Sequence, residues 1–158
     1  MVTTVNQDTV AAALDRPGSV SLVYASHKRA GGGYKNHEKG QEEFIARRTD
    51  LVTRLEPYRD QYGDNRKPFY ILLEGVEFNG TDQTRDLIVS HAPVARLYKD
   101  PDAELEKRII EVCKRVAYYP TFITGPWGGG FFGCDRELAL ALFEKHATNE
   151  TVVFAIPS

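Results

Sequence analysis

"SVSLVYASHKRAGGGYKNHEKGQEEF", from Ser19 to Phe44, decides how the chain is read. Its first eight residues alternate and are β-branched enough to predict a strand over 19–26. Gly31, Gly32 and Gly33 follow, a run that lets the backbone turn sharply and lets other groups approach it closely. From Gln41 to about Tyr58 the pattern turns helical: Phe44, Arg48, Leu51 or Val52, and Leu55 recur at three- and four-residue steps, and Pro57 ends the run. Strand, glycine loop and helix in succession form the local unit of an α/β domain. Glu42 and Glu43 stand at the start of that helix.

The unit recurs near the other end of the chain. "TFIT" (121–124) reads as a strand, "GPWGGGFFGCD" (125–135) as a second glycine loop, and "RELALALFEKHA" (136–147) as a helix. Upstream, "VTTV" (2–5) is a short strand. Asn6 to Asp8 offer a cap for a helix over 9–14 with Val10, Ala13 and Leu14 on one side. Between the two units come a polar loop (59–67), a strand (69–78), an Asn-Gly turn (79–84) and another strand (85–92). A helix over 100–119 follows, capped by Asp100 or Asp102 and striped by Leu105, Ile109, Val112 and Val116. "TVVFAI" (151–156) is a last strand. Alternating strands and helices with a strand pair in the middle predict one domain over 1–158. Its expected fold is a three-layer α/β/α arrangement around a mixed central sheet. Ligands of such sheets gather beyond the carboxyl ends of the strands, so both glycine loops are expected on one rim.

The bulk composition fits that reading and excludes others. A hydrophobic fraction of 42% with 27% charged residues is ordinary for a globular chain. A net charge of −2 gives no basis for general nucleic-acid binding or attraction to an anionic membrane, so an anionic ligand must be held locally. No apolar run approaches the ~20 residues of a membrane span. "MVTTVNQD" lacks the basic and apolar regions of a secretory signal. Cys113 and Cys134 have no metal-type spacing and are expected to be free thiols in a cytoplasmic protein.

The two loops suit two chemistries. Gly128, Gly130 and Gly133 fit G-x-G-x-x-G between a strand and a helix, an arrangement that turns backbone N–H groups and a helix dipole toward a phosphate; alone, it is equally a tight turn. A nicotinamide fold needs an acidic residue about 20 positions on, where "TVVFA" stands, and no Gly-Lys-Ser/Thr follows to make a P-loop. Glu42 and Glu43 point ~100° apart on a helix and can border one cleft. Like charges and apolar surroundings raise the pKa of at least one of such a pair. A raised glutamate can protonate a leaving oxygen, as in glycoside hydrolysis, although acids in a first helical turn are also common dipole-favouring surface residues. Phosphate binding beside sugar chemistry describes a nucleotide sugar.

"GGGYKNHEKGQEE" fits the GGG-x(6–8)-QEE signature of poly(ADP-ribose) glycohydrolases, and "GPWGGGFFGCD" resembles the G-x-W-G-C-G-x-F-G-x-D loop of the family's bacterial branch. "VNQDTVAAAL", "DLIVSHAPV" and "TVVFAIP" resemble the branch's opening, its Ala-Pro strand and its final strand, so the similarity covers nearly the whole chain. The resemblance implies a macrodomain fold with ADP-ribose in a cleft, and hydrolysis without metal or cofactor. It implies Glu43 as catalytic acid and then base, and Glu42 as the group that orients the ribose, with Gln41 beside them. Gly31, Gly32 and Gly33 would meet the diphosphate and ribose with their backbone. Gly128, Gly129 and Gly130 would form the diphosphate loop, and Phe132 would lie against a ribose.

The chain departs from the pattern at Arg29-Ala30, where bacterial members commonly have Asn-Pro, at Gly129 in place of Cys, and at Val94 in place of Asn. The extra regions of larger members are absent from these residues. The substrate therefore stays open between polymer ends, single ADP-ribose groups on a macromolecule and a small NAD-derived nucleotide. The four histidines His27, His37, His91 and His146 do not cluster at ligand spacing. His37 reads as a loop residue that can reach the cleft rim. Lys28, Arg29 and Lys35 bracket the first glycine loop, and Trp127 reads as core beneath the second. The resulting expectation is an ADP-ribosyl glycohydrolase acting in the cytoplasm. The competing reading is a binding module that holds ADP-ribose or an NAD-derived signalling nucleotide without turnover.

Overall fold

The computed structural model describes residues 1–36 and 39–158. Its centre is the strand β2, Val20–Tyr24, whose first four residues are all buried. A strand buried on both faces needs cover from both sides, and the rest of the chain supplies it. The sheet adds β1 (Val2–Val5), β3 (Ile71–Glu77), β4 (Thr84–Ser90), β5 (Thr121–Thr124) and β6 (Thr151–Ala155), in the order β1-β6-β5-β2-β4-β3. All neighbours are parallel except β3, which runs antiparallel to β4. The register shifts between Leu73 and Val76, where Gly75 adopts a φ of 67° and its N–H donates to Asp86.

Side-chain alternation along the strands divides the core in two. Val23, Val89, Ile123 and Val153 face the helices α1 (Thr9–Leu14), α2 (Gln41–Arg48) and α3 (Leu51–Leu55). Leu22, Ile88, Phe122 and Val152 face α4 (Pro101–Arg115) and α5 (Arg136–His146), with Trp127 fully buried among them. This is the expected three-layer α/β/α fold with a mixed sheet. Among the described residues no helix is long and apolar enough to cross a membrane.

Three local expectations change. In α1 the buried side is Thr9, Ala12 and Ala13, with Val10 and Leu14 only half-buried. Small residues bring the helix close to the sheet, and the Arg85 guanidinium donates to the carbonyls of Ala13 and Leu14 at its end. The helix expected over 41–58 breaks at Thr49 and Asp50. Thr49 is extended and bridges Phe78, while Asp50 and Glu77 exchange N–H bonds across the edge of β3. Finally, α2 buries Glu42, Glu43, Ile45 and Ala46 rather than Phe44 and Arg48, whose guanidinium stacks 3.4 Å over the Phe44 ring on the outer side. The helix is rolled so that two carboxylates face inward, because glycine N–H groups wait for them there.

Candidate active site

The loop after β2 wraps around the amino-terminal end of α2. Glu42 is 2% exposed, and its two carboxylate oxygens accept from Ser26 N (2.7 Å) and Gly31 N (3.2 Å). Burial pushes its carboxyl from 4.5 up to about 8, helped by the Glu43 charge and opposed by the two N–H donors and Arg29. Glu43 is 9% exposed; its Oε2 accepts from Gly33 N (3.0 Å), and among the described residues its Oε1 has no protein donor. The N–H of Gly32 closes a turn onto Arg29 O, and the Arg29 guanidinium returns a bond to Gly32 O.

This answers why three glycines precede two carboxylates. Gly32 has a φ of 58°, and a Cβ there would overlap Glu43 Oε2 and lie 2.7 Å from Glu42 Oε1. All three glycine N–H groups are engaged within the protein, two of them by the carboxylates. The loop thereby forms a cradle for Glu42 and Glu43. Gln41 also serves the frame. Its amide oxygen accepts from Tyr24 N (2.7 Å), and its nitrogen donates to Thr9 Oγ1 and Leu22 O, which ties α2 to the end of β2.

The second loop is built differently. Gly128 has a φ of 80°, and a Cβ there would stand 2.9 Å from that of Ala92 and 3.1 Å from Cys134 Sγ. The loop therefore packs directly on the chain leaving β4, where Ala95 N also donates to Phe132 O (2.8 Å). Gly129 N closes a turn onto Pro126 O. The N–H groups of Gly130, Phe131 and Phe132 have no acceptor among the described residues, which leaves a run of donors for an anion. The dipole of α5 contributes less than its position suggests, since Asp135 caps it through Glu137 N and Leu138 N.

Both loops border one cavity of about 520 Å³ at the carboxyl ends of β2 and β5. Gly32, Gly33, Gln41, Glu42, Glu43, Gly128, Gly129, Gly130 and Phe132 all line it; Gly31 is buried behind Glu42 and does not. Phe131, 85% exposed, stands at the mouth.

Sequence reasoning left out the groups beneath this rim. His27 lines the cavity with its ring edge-on to Phe132 (5.7 Å) and near His91 (5.9 Å). Burial, then Lys28, hold its pKa below the usual histidine value. His91 is fully buried. Its Nδ1 takes hydrogen bonds from Asn65 (3.2 Å) and Arg108 (3.1 Å), which puts the proton on Nε2 facing Lys67 O. Burial and Arg108 lower it to about 4, so it is neutral. Asn65 also bonds Ala92 O and Val94 N, and Arg108 bonds Asn65 O, so loop, strand end and α4 fix the segment 92–94 under the second loop. Among the described residues no three histidine, cysteine or carboxylate groups could hold a metal ion. His37 lies outside the described residues.

Comparison with known proteins finds a sequence match over the first loop and a similar fold over nearly the whole chain. Residues 1–74 match the sequence family described as microbial-type PARG, catalytic domain. No curated protein matches in sequence. Among solved structures, the chain is similar to poly(ADP-ribose) glycohydrolase from Deinococcus radiodurans in complex with ADP-ribose. The TM-score is 0.83 at 23% identity, over 98% of this chain and 76% of that one. It is also similar to the enzyme from Thermomonospora curvata bound to the inhibitor ADP-HPD, with a TM-score of 0.82 at 22% identity, over 98% and 72% of the two chains.

Proposed function

We propose that this chain, which shares the fold of the bacterial poly(ADP-ribose) glycohydrolases and matches their family over residues 1–74, hydrolyses the ribosyl O-glycosidic bond of ADP-ribose polymers or conjugates. The observation that carries the reading is the asymmetry of the two carboxylates. Both oxygens of Glu42 are held by backbone N–H groups, whereas Glu43 keeps one oxygen free in the cavity. Glu43 therefore does the proton transfer and Glu42 positions.

In this mechanism the diphosphate lies on the free N–H groups of residues 130–132 and the ribose lies between Phe132 and the carboxylates. A neutral Glu42 places no negative charge beside the anionic ligand. Glu43 passes a proton from Oε1 to the leaving oxygen as the bond to the anomeric carbon breaks with oxocarbenium character. A water then bonds to that carbon and returns a proton to Glu43, so the enzyme ends as it began. A reducing, cytoplasmic setting belongs to the same reading and is supported by the free thiols Cys113 and Cys134.

Labelled poly(ADP-ribose) and a mono-ADP-ribosylated protein, each incubated with wild type and Glu43→Gln, test the proposal. Release of ADP-ribose by the wild type, reduced about 10²–10⁴-fold in Glu43→Gln, is expected. Tight ADP-ribose binding with no release by either protein would mean a binding module instead.

A further inference from the structure

We propose that His27 is a further ligand-binding residue of the cavity, neutral in the free protein, that takes up a proton from solvent as the diphosphate enters, so that ADP-ribose binds more tightly as pH falls. The inference rests on the proposed ligand and adds a group that holds it.

His27 stands in the loop after β2, one residue beyond the Ser26 N–H that holds Glu42, and it lines the cavity. Its ring meets Phe132 edge-on at 5.7 Å, next to the run of N–H groups at residues 130–132 that have no acceptor among the described residues. Its Nδ1 is buried with no hydrogen-bond partner, and its Nε2 has none among the described residues. A ring with both nitrogens idle among polar neighbours has an unmet demand. His91, 5.9 Å away, cannot meet it, because its Nδ1 takes bonds from Asn65 and Arg108 and its Nε2 faces Lys67 O. The missing partner therefore comes from the cavity.

The charges around the ring decide its proton. On its own loop Lys28 is a cation, and the Arg29 guanidinium is turned onto Gly32 O. The loop before β3 contributes Asp64, whose Oδ1 already accepts from Arg66 N. Beyond β4 stands Arg96, and on α4 stands Arg108, which is paired with Glu104. In the second loop burial pushes the Cys134 thiol up to about 11, so it adds no charge. Glu42 and Glu43 line the same cavity from α2. Burial and the three cations outweigh Asp64 and keep the free ring neutral near pH 7. A diphosphate on the N–H groups beside Phe132 brings in negative charge and reverses that balance. The imidazolium then gives the ligand a charge-assisted N–H bond from the side opposite the second loop's backbone donors.

Calorimetric titration of ADP-ribose at about pH 6.5, in two buffers of different ionisation enthalpy, counts the protons. Glu42, with a pKa of about 8, is already protonated there and adds little. Expected is an uptake of about half a proton per ADP-ribose in the wild type, and less than about a tenth in His27→Gln and His27→Ala. The wild-type Kd is then about three-fold lower at about pH 6 than at about pH 7, while the variants' Kd stays level. The NMR titration of the His27 ring proton, with and without ADP-ribose, assigns the proton without any variant. Its midpoint is expected to rise by about one pH unit or more on binding. Wild-type binding without uptake overturns the proposal, as does uptake that persists in the variants or a His27 midpoint that stays put. Should the wild type take up the proton and cleave nothing, the proposed activity fails while the binding role of His27 stands. No binding of ADP-ribose at any pH overturns both.

Discussion

Gly32 has two independent reasons to be glycine: a φ of 58° and two carboxylates where a side chain would begin. Gly32→Ala is expected to destabilise the fold by about 1–3 kcal/mol and to displace Glu43, read as a lower melting temperature with lost turnover. An unchanged melting curve would contradict the cradle. Glu42 carries the second residue-scale prediction. Its folded pKa, about 8 against an ordinary 4.5, is raised, so the native state binds a proton that the unfolded chain releases. The stabilising contribution of its neutral form is complete below about pH 4.5 and is lost as pH climbs through 8. Glu42→Gln removes the titrating proton but sets an NH2 donor against Gly31 N, so it is expected to be less stable than wild type near pH 5 and, unlike wild type, to lose no stability between pH 5 and 8 in urea unfolding. Parallel stability profiles would refute a buried neutral carboxyl. Phe131, exposed at the cavity mouth, can be tested without risk to the core: Phe131→Ala should leave stability within about 0.5 kcal/mol and weaken ADP-ribose binding several-fold by calorimetry.

Elements were legible in the sequence to different depths. The strands β1 and β5 and the helices α1, α4 and α5 announce themselves by cap, stripe and stop, and they lie within a few residues of where the pattern puts them. The helix α2 was legible in existence and not in orientation. Its apolar spacing favours Phe44 and Arg48 as the inner side, and only the distant N–H groups of Ser26, Gly31 and Gly33 turn Glu42 and Glu43 inward. The break at Thr49 is likewise made by partners far along the chain, at Glu77 and Phe78. Arg108 interrupts the stripe of α4 as a fully buried cation, bonded to Glu104, Asn65, Tyr98 and both the ring and carbonyl of His91. Arg108→Ala would leave those acceptors unpaired and is expected to cost about 3–5 kcal/mol in urea unfolding, well above the cost of an exposed arginine on the same helix, Arg115→Ala. Equal effects would mean that the network does not hold the rim.

At the scale of the molecule, the site exists because parallel strands end together. The sheet order sets β2 between β5 and β4, so the loops leaving those three strands meet although they are separated by most of the chain. The pairing of a carboxylate loop with a phosphate-type loop could be read from motifs, since each carries its own glycine and acid pattern. The division of labour between them could not, because which N–H groups remain free depends on hydrogen bonds formed only in the fold. The first loop holds the acids, and the second keeps N–H groups without acceptors among the described residues. A crystal structure of the Glu43→Gln variant with ADP-ribose tests this most directly. The account predicts the diphosphate on the N–H groups of Gly130 to Phe132, with the distal ribose within hydrogen-bond reach of the side chain at position 43. A diphosphate bound on the N–H groups of Gly31 to Gly33, or a ribose remote from position 43, would contradict it.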